Sequence, residues 1–221
     1  MRTLAITTVF FDLGATLGSP ILSPPPVHLI GFDVFEFALP VLDDLRGRGL
    51  RLGVISNTGD DDGTAVDAVL GQANIRDFFE PSLRIYSRDV GLKKDSPKIF
   101  RLAAARAAVP PDQCLFIGED AAERAFARQA GNLTAPHPIV VPDVLDGQPL
   151  QHVRITVPPE QASSDWQTVL RRLRVALVNV SGPDPPVVEA IAAQRALAGL
   201  ESLHFGVELL GQVQLGPGTS A

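Results

Sequence analysis

Through the first two-thirds of the chain, short apolar runs alternate with segments of helical period, and this alternation constrains the fold more than any other feature. A strand that passes through a helix before the next strand of the same sheet must cross over, so the strands run parallel and helices cover both faces. Residues 6–12 read as the first strand, apolar at nearly every position, as burial on both faces requires. Residues 35–48 show a helical period through Phe37, Val41, Leu42 and Leu45, with Gly49 suited to cap the end. Further strands are predicted at 50–56, 83–87, 114–118 and 133–135, and helices at 64–72, 96–107 and 120–130. Pro97 falls in a first turn, where its missing N–H costs nothing. Pro20, Pro24, Pro25 and Pro26 follow the first strand; that stretch is expected to be a loop, because proline suits neither a helix interior nor a central strand.

Past His137 the pattern changes. The expected architecture is an α/β three-layer sandwich with a parallel Rossmann-like sheet over residues 1–137, then a linker at 138–150 and a smaller α+β unit at 151–212, ending in a tail at 213–221. In the smaller unit strands are predicted at 153–157, 175–180 and 205–210 and a helix at 164–172, where Trp166 joins Val169, Leu170 and Leu173 in a core stripe. Residues 187–203 fit either a strand followed by a helix or one continuous helix.

Charge and composition narrow the classes of partner. The net charge of −6 comes without a basic stripe, so neither nucleic acid nor a membrane surface is an expected partner. Cys114 is the single cysteine, which excludes an internal disulfide, and no Cys/His spacing suits zinc; a reducing, cytoplasmic setting fits. The apolar run at 4–11 stops at Asp12 without a cleavage region, so it does not read as a signal peptide, and no stretch is long and apolar enough to span a bilayer.

Ligands of an open parallel sheet collect outside the carboxyl ends of its strands. That rule selects Asp12 to Leu17, then Ser56-Asn57-Thr58, then Lys93-Lys94-Asp95-Ser96-Pro97, then Gly118-Glu119-Asp120. A carboxylate, a hydroxyl, an ammonium group and further acids on one rim suit phosphoryl transfer, with a carboxylate nucleophile, a lysine and hydroxyl on the phosphate oxygens, and magnesium between carboxylates. Singly, each piece has an ordinary structural explanation: an Asp ending a strand usually makes a turn or a cap, and a lone lysine is usually solvated. The same holds for His28, His137, His152 and His204 as partly buried structural residues, for Cys114 as a small core residue, and for Asp60, Asp61 and Asp62 as a solvated acidic turn.

Order and spacing add a resemblance. The run Val9-Phe10-Phe11-Asp12-Leu13-Gly14-Ala15-Thr16-Leu17 resembles the first motif of the haloacid dehalogenase superfamily, Asp-x-Asp-Gly-Thr-Leu after apolar residues, and Val54-Ile55-Ser56-Asn57-Thr58 is similar to its second. Val90 to Phe100 resembles the third motif and places its lysine at Lys94, while Leu115 to Asp120, continuing to Gly131, resembles the fourth. The resemblance covers residues 4–137 and implies a magnesium-dependent hydrolase in which Asp12 is the nucleophile, Ser56 and Lys94 orient the anion, and Asn57 and Thr16 contact substrate. It assigns the metal to Asp12, the Gly14 carbonyl and Glu119 or Asp120, with Glu123 as an outer candidate.

Several positions depart from the family pattern. Gly14 stands where phosphatases of this family keep an acid that protonates the leaving group, Asp95 and Ser96 replace the usual Pro and Asp, Glu119 replaces Asp, and the fourth motif runs one residue short. Residues 17–35 are too few for a helical cap and 58–83 hold core-like elements, so the chain reads as capless. An uncovered site favours a macromolecular phosphorylated or otherwise anionic substrate, an accessory cover, or no catalysis. Hence two further readings stay open, a catalytically degenerate binding or regulatory protein and a dehalogenase; the C-terminal unit is a place for either a cover or an oligomer contact.

Overall fold

The computed structural model describes residues 6–182 and 186–216. They form two compact units, one running to Pro138 and regaining Leu215 and Gly216, the other spanning Ile139–Gln214.

In the first unit the chain runs through β1 (Thr8–Phe11), β2 (Gly18–Leu22), β3 (Leu29–Val34), α1 (Ala38–Gly47), β4 (Arg51–Ser56), α2 (Gly63–Gln72), β5 (Arg84–Tyr86), α3 (Ser87–Val90), α4 (Lys98–Ala107), β6 (Cys114–Ile117), α5 (Ala121–Gln129) and β7 (Leu133–Ala135). Five strands make the parallel sheet in the order β5-β4-β1-β6-β7. All four residues of β1 are buried, as the unbroken apolar run predicts, and Phe11 lies opposite Val54 on one side and Ile117 on the other. The ladder continues one step beyond the strand, where the Asp12 N–H donates to the Ile117 carbonyl at 2.8 Å.

Spacing explains how α4 packs. Ile99, Phe100, Ala103, Ala104 and Ala107 recur on one helix face and are buried with Phe10, Ile55, Ile85 and Phe116, with the Phe100 and Phe116 rings edge-on at 4.9 Å. The alanines let the helix axis approach the sheet. Gly53 in β4 serves the same closeness: a Cβ there would lie 2.7 Å from both the Leu83 carbonyl oxygen and the Phe10 ring. Because one of those neighbours is backbone, in the turn that leads into β5, Gly53→Ala is expected to cost about 2–3 kcal/mol. Urea unfolding should show a lower midpoint at unchanged slope.

The Pro-rich stretch corrects the loop expectation. It folds as an antiparallel two-stranded ribbon, β2 against β3, with Pro20 opposite Phe32 and the three consecutive prolines in its turn. In a two-stranded ribbon both strands are edges, so Pro20 need not donate to a second neighbour. Gly18 starts the ribbon where a Cβ would collide with the Asp33 carbonyl at 2.3 Å. No helical cap stands at this position, in keeping with the sequence reading, but the ribbon occupies it.

His137 follows β7 and packs at a tilt against Phe37, with ring centroids 4.7 Å apart. Burial pulls its pKa down to about 4. The unfolded chain therefore binds a proton near pH 6.5 that the folded chain refuses until about pH 4, so stability falls as pH drops through that window. We expect His137→Phe to remove roughly 2–3 kcal/mol of that acid sensitivity, read as a flatter plot of unfolding free energy against pH between 6.5 and 4.

The second unit contains α6 (Val141–Leu145), β8 (Leu150–Thr156), α7 (Pro159–Ala162), α8 (Trp166–Arg172), β9 (Ala176–Ser181), β10 (Val187–Ala193), α9 (Gln194–Ser202) and β11 (Gly206–Gln212). Its sheet is antiparallel in the order β11-β8-β10-β9. The open choice at 187–203 resolves as strand then helix, because residues 187–193 are a central strand paired on both sides. Val153, Ile155, Val157, Leu170, Leu197, Leu200 and Phe205 form the core, with Trp166 packed against it. Within 138–150, expected as a linker, α6 buries Val141 and Val144, and its buried Asp143 pairs with Arg195. Among the described residues no helix is long and apolar enough to cross a membrane. Of the expected tail, Leu215 accepts a hydrogen bond from the Thr134 N–H at 2.7 Å, and 217–221 lie outside the described residues.

Candidate active site

Three adjacent strands end at one rim, β4 with Ser56, β1 with Asp12 immediately beyond it, and β6 with Gly118. Gly118 brings the outer loop against the centre, since a Cβ there would lie 3.5 Å from the Asp12 Cβ. After Asp12 the chain makes one tight turn, with the Leu13 carbonyl accepting from the Leu17 and Thr16 N–H groups and Ala15 in the left-handed region at φ 54°. That turn buries Thr16 and sends the chain back as the ribbon.

Lys94 is the hinge of the arrangement. Its ammonium lies 2.6 Å from Asp12 Oδ1 and 2.7 Å from Glu123 Oε2, and only 2% of the residue is exposed. The loop carrying it is fixed because the Lys94 N–H donates to Asn57 Oδ1 at 3.1 Å, just after β4. A lysine this buried is stable only when its charge is matched, and two carboxylates match it here. Asp12 Oδ1 also accepts the Leu13 N–H at 2.8 Å. Burial pushes the Asp12 carboxyl above its ordinary range, against the pull of Lys94, and the nearby negative charge of Glu119 adds to the rise. Glu123 is raised for the same leading reason, burial, again against Lys94.

The remaining candidates separate by role. Glu119 Oε2 accepts from the Thr16 hydroxyl at 2.7 Å, which ties the two outer loops together. Asp120 caps α5, its Oδ1 accepting the Ala122 and Glu123 N–H groups at 2.7 and 3.0 Å, which holds its carboxyl low. Asn57 spans the gap between the second and fourth segments, its Nδ2 reaching Glu123 Oε1 at 3.4 Å. Ser56 is buried at the end of β4. Asp12, Thr16, Ser56, Asn57, Lys94 and Glu119 thus meet at one rim, and Gly14 stands in the turn beside them with only Pro20 within 4 Å of a Cβ position, at 3.8 Å.

Other parts of the site escaped the sequence reading. Glu123 stood there as an outer candidate, yet it shares the lysine; a helix N-terminal acid four residues after Glu119 was the available signal. Arg124 grips the Gly118 and Glu119 carbonyls at 2.6 and 2.7 Å, and Ser87 Oγ accepts the Thr58 N–H at 3.0 Å; neither belongs to a recognisable pattern. Of the acidic turn, Asp62 caps α2, and Asp61 takes the ribbon's His28 ring and Leu29 N–H, each at 2.8 Å.

A cleft of about 310 Å³ opens beside Ser56 and Gly14 and is walled by the ribbon and the start of α2.

Comparison with known proteins agrees with the geometry. Residues 28–131 match the family model of the haloacid dehalogenase-like hydrolases, a match that begins beyond Asp12. A glyceraldehyde 3-phosphate phosphatase from Methanopyrus kandleri is 32% identical over 83 residues, 37% of this chain and 33% of that protein, so the match spans about a third of the relative's length. Among solved structures, a protein from Listeria monocytogenes serotype 4b superposes with a TM-score of 0.51 at 20% identity, over 58% of this chain and 76% of that one. A superfamily hydrolase from Geobacter sulfurreducens gives 0.50 at 18% identity, over 64% of this chain and all of its own. The strand order and the rim agree with these likenesses: over residues 28–131 the chain resembles the haloacid dehalogenase-like hydrolases, and the two solved structures share its fold.

Proposed function

We propose that this chain hydrolyses phosphate monoesters by passing the phosphoryl group through Asp12. The observation that carries the reading is the buried Lys94 ammonium held between Asp12 and Glu123. A fixed cation beside a carboxylate nucleophile lowers the repulsion that an incoming dianionic phosphate would meet, and costs no reorganisation during the reaction. Asp12 Oδ1 is engaged by Leu13 and Lys94, which leaves Oδ2 to attack phosphorus. In this reading the Ser56 hydroxyl donates to a phosphoryl oxygen, while Asn57 and Thr16 hold the loops around it. The name of the Methanopyrus kandleri relative, a phosphatase, supports the ester class.

The donor set fits magnesium. Asp12 and Glu119 are carboxylates close enough that one raises the other's pKa, an electrostatic strain that a divalent cation relieves. Asp12, Glu119 and the Gly14 carbonyl are hard oxygen donors, and Asp120 is committed to its cap. Among the described residues no group of three or more His, Cys, Asp or Glu is gathered to hold a metal ion, so the proposed site rests on two carboxylates and one carbonyl, with water completing the shell. Bound magnesium would neutralise charge on the phosphoryl group, and the protein's own residues do the rest.

The test is phosphate release from simple phosphate esters with and without magnesium, combined with hydroxylamine trapping and peptide mapping. Magnesium-dependent release with a hydroxamate at Asp12 is expected. Label on another residue, or no release from any ester, overturns the reading. In the second case the degenerate binding-protein alternative, which Gly14 favours, takes its place.

A further inference from the structure

The cleft beside Ser56 has a composition that the proposed chemistry does not explain. Its ribbon side consists of Pro20, Leu22, Val27, Leu29 and Phe32, and Val66 of α2 closes it from across. None of its lining residues is Lys or Arg. The two acids on the lining, Asp60 and Asp61, repel any second anionic group on a ligand, and both Asp61 oxygens are already taken by His28 and the Leu29 N–H. The polar end, where Ser56, Asn57 and Thr58 line the wall, adjoins the nucleophile. A volume of about 310 Å³ is enough for a ring system or a short chain. Leu22 and Val27 are 54% and 55% exposed, apolar side chains with little core to serve, facing the same space.

A second observation concerns the leaving group. At Gly14, where the turn after Asp12 faces the cleft, the nearest side chain is the Pro20 ring. Neither residue can deliver a proton there. An alkoxide leaving unaided is a poor leaving group, whereas a phenolate delocalises its charge and departs without an acid.

Resting on the hydrolase reading, we propose that the site takes a monophosphate ester of an apolar aromatic alcohol, with the ring in the ribbon-walled cleft and the phosphate at Asp12, Ser56 and Lys94. Asp12 Oδ2 forms a bond to phosphorus while the phosphorus–oxygen bond to the ring breaks, and the electron pair leaves on the phenolate. Water then attacks the phosphorus of the aspartyl phosphate, regenerating the Asp12 carboxylate and releasing dihydrogen phosphate, and the phenolate takes its proton from solvent.

Two measurements on the full chain test this, one independent of turnover. In calorimetry with magnesium present, phenylphosphonate should bind roughly 10- to 100-fold tighter than methylphosphonate, and phosphonoacetate, with its second anion, weaker than either. Leu22→Ser combined with Val27→Ser should reduce the phenyl-over-methyl ratio to within about threefold, since it removes most of the exposed apolar wall. In turnover, phenyl phosphate should exceed cyclohexyl phosphate, which has the same girth but an alkoxide leaving group, by at least about 100-fold in kcat/KM.

Equal binding of phenylphosphonate and methylphosphonate, a ratio that survives the double substitution, or absence of binding by every phosphonate overturns the proposal. So does tighter binding of phosphonoacetate, which would place the leaving group in the adjoining depression bearing Arg88 and Lys93. Phosphate release without aromatic preference sinks the substrate class alone. Aromatic phosphonate binding without release of phosphate from any aryl ester sinks the hydrolase reading alone.

Discussion

Asp12→Asn is expected to lower magnesium-dependent phosphate release by at least about 10³-fold, the loss usual for removal of a covalent nucleophile. The substitution keeps the size of the side chain and an oxygen to accept the Leu13 N–H, so the turn after β1 should persist. What it removes is the anionic oxygen that attacks, together with one of the two charges that Lys94 touches. Glu123 still pairs with the lysine, and a side chain whose burial disfavours its charged form is a small loss to the folded state. The variant should therefore unfold cooperatively at a midpoint near that of the parent while releasing almost no phosphate. Release within tenfold of the parent would remove Asp12 from the reaction.

Gly14→Asp is expected to act in the opposite direction. The position has an ordinary backbone conformation, and a Cβ would make only normal contact with Pro20 at 3.8 Å, so a side chain enters without strain. A carboxylic acid there can protonate a departing oxygen, an effect worth about 10²–10⁴-fold where departure limits the rate. The gain should grow with the basicity of the leaving group, large for cyclohexyl phosphate and about tenfold or less for p-nitrophenyl phosphate, whose phenolate needs little help. Measured kcat values across such a series give the check. A uniform change, or none for the alkyl ester, would show that proton delivery is not what this site lacks.

Much of this was legible in the sequence because its signals are local. The apolar runs at 6–12 and 114–118 became β1 and β6, and the residues immediately after them, Asp12 and Gly118, fell at the rim because strand ends in a parallel sheet share one edge. The resemblance to the third motif singled out Lys94, and the strand-end rule put it on the rim with Asp12, but its sharing between Asp12 and Glu123, from segments over 80 residues before it and nearly 30 after it, is encoded in no local pattern. The ribbon was missed for a different reason. Proline excludes helix interiors and central strands, which left a loop as the expectation, but it tolerates edge positions that need not donate to a neighbour, and both strands of a two-stranded ribbon are edges. The strand at 187–193 was undecidable alone because short apolar runs look alike in helix and strand; pairing with both β8 and β9 supplied the difference.

The ribbon is hydrogen-bonded to itself and lies outside the five-stranded sheet that carries Asp12, with His28 and Leu29 moored to Asp61. Substitutions among its outward side chains therefore disturb neither the sheet's ladder nor the lysine and its acids. Such a wall can be re-tailored to a new molecule while the rim of Asp12, Lys94 and Glu123 stays as it is, so what the cleft accepts can change without any change in the charged cluster beside it.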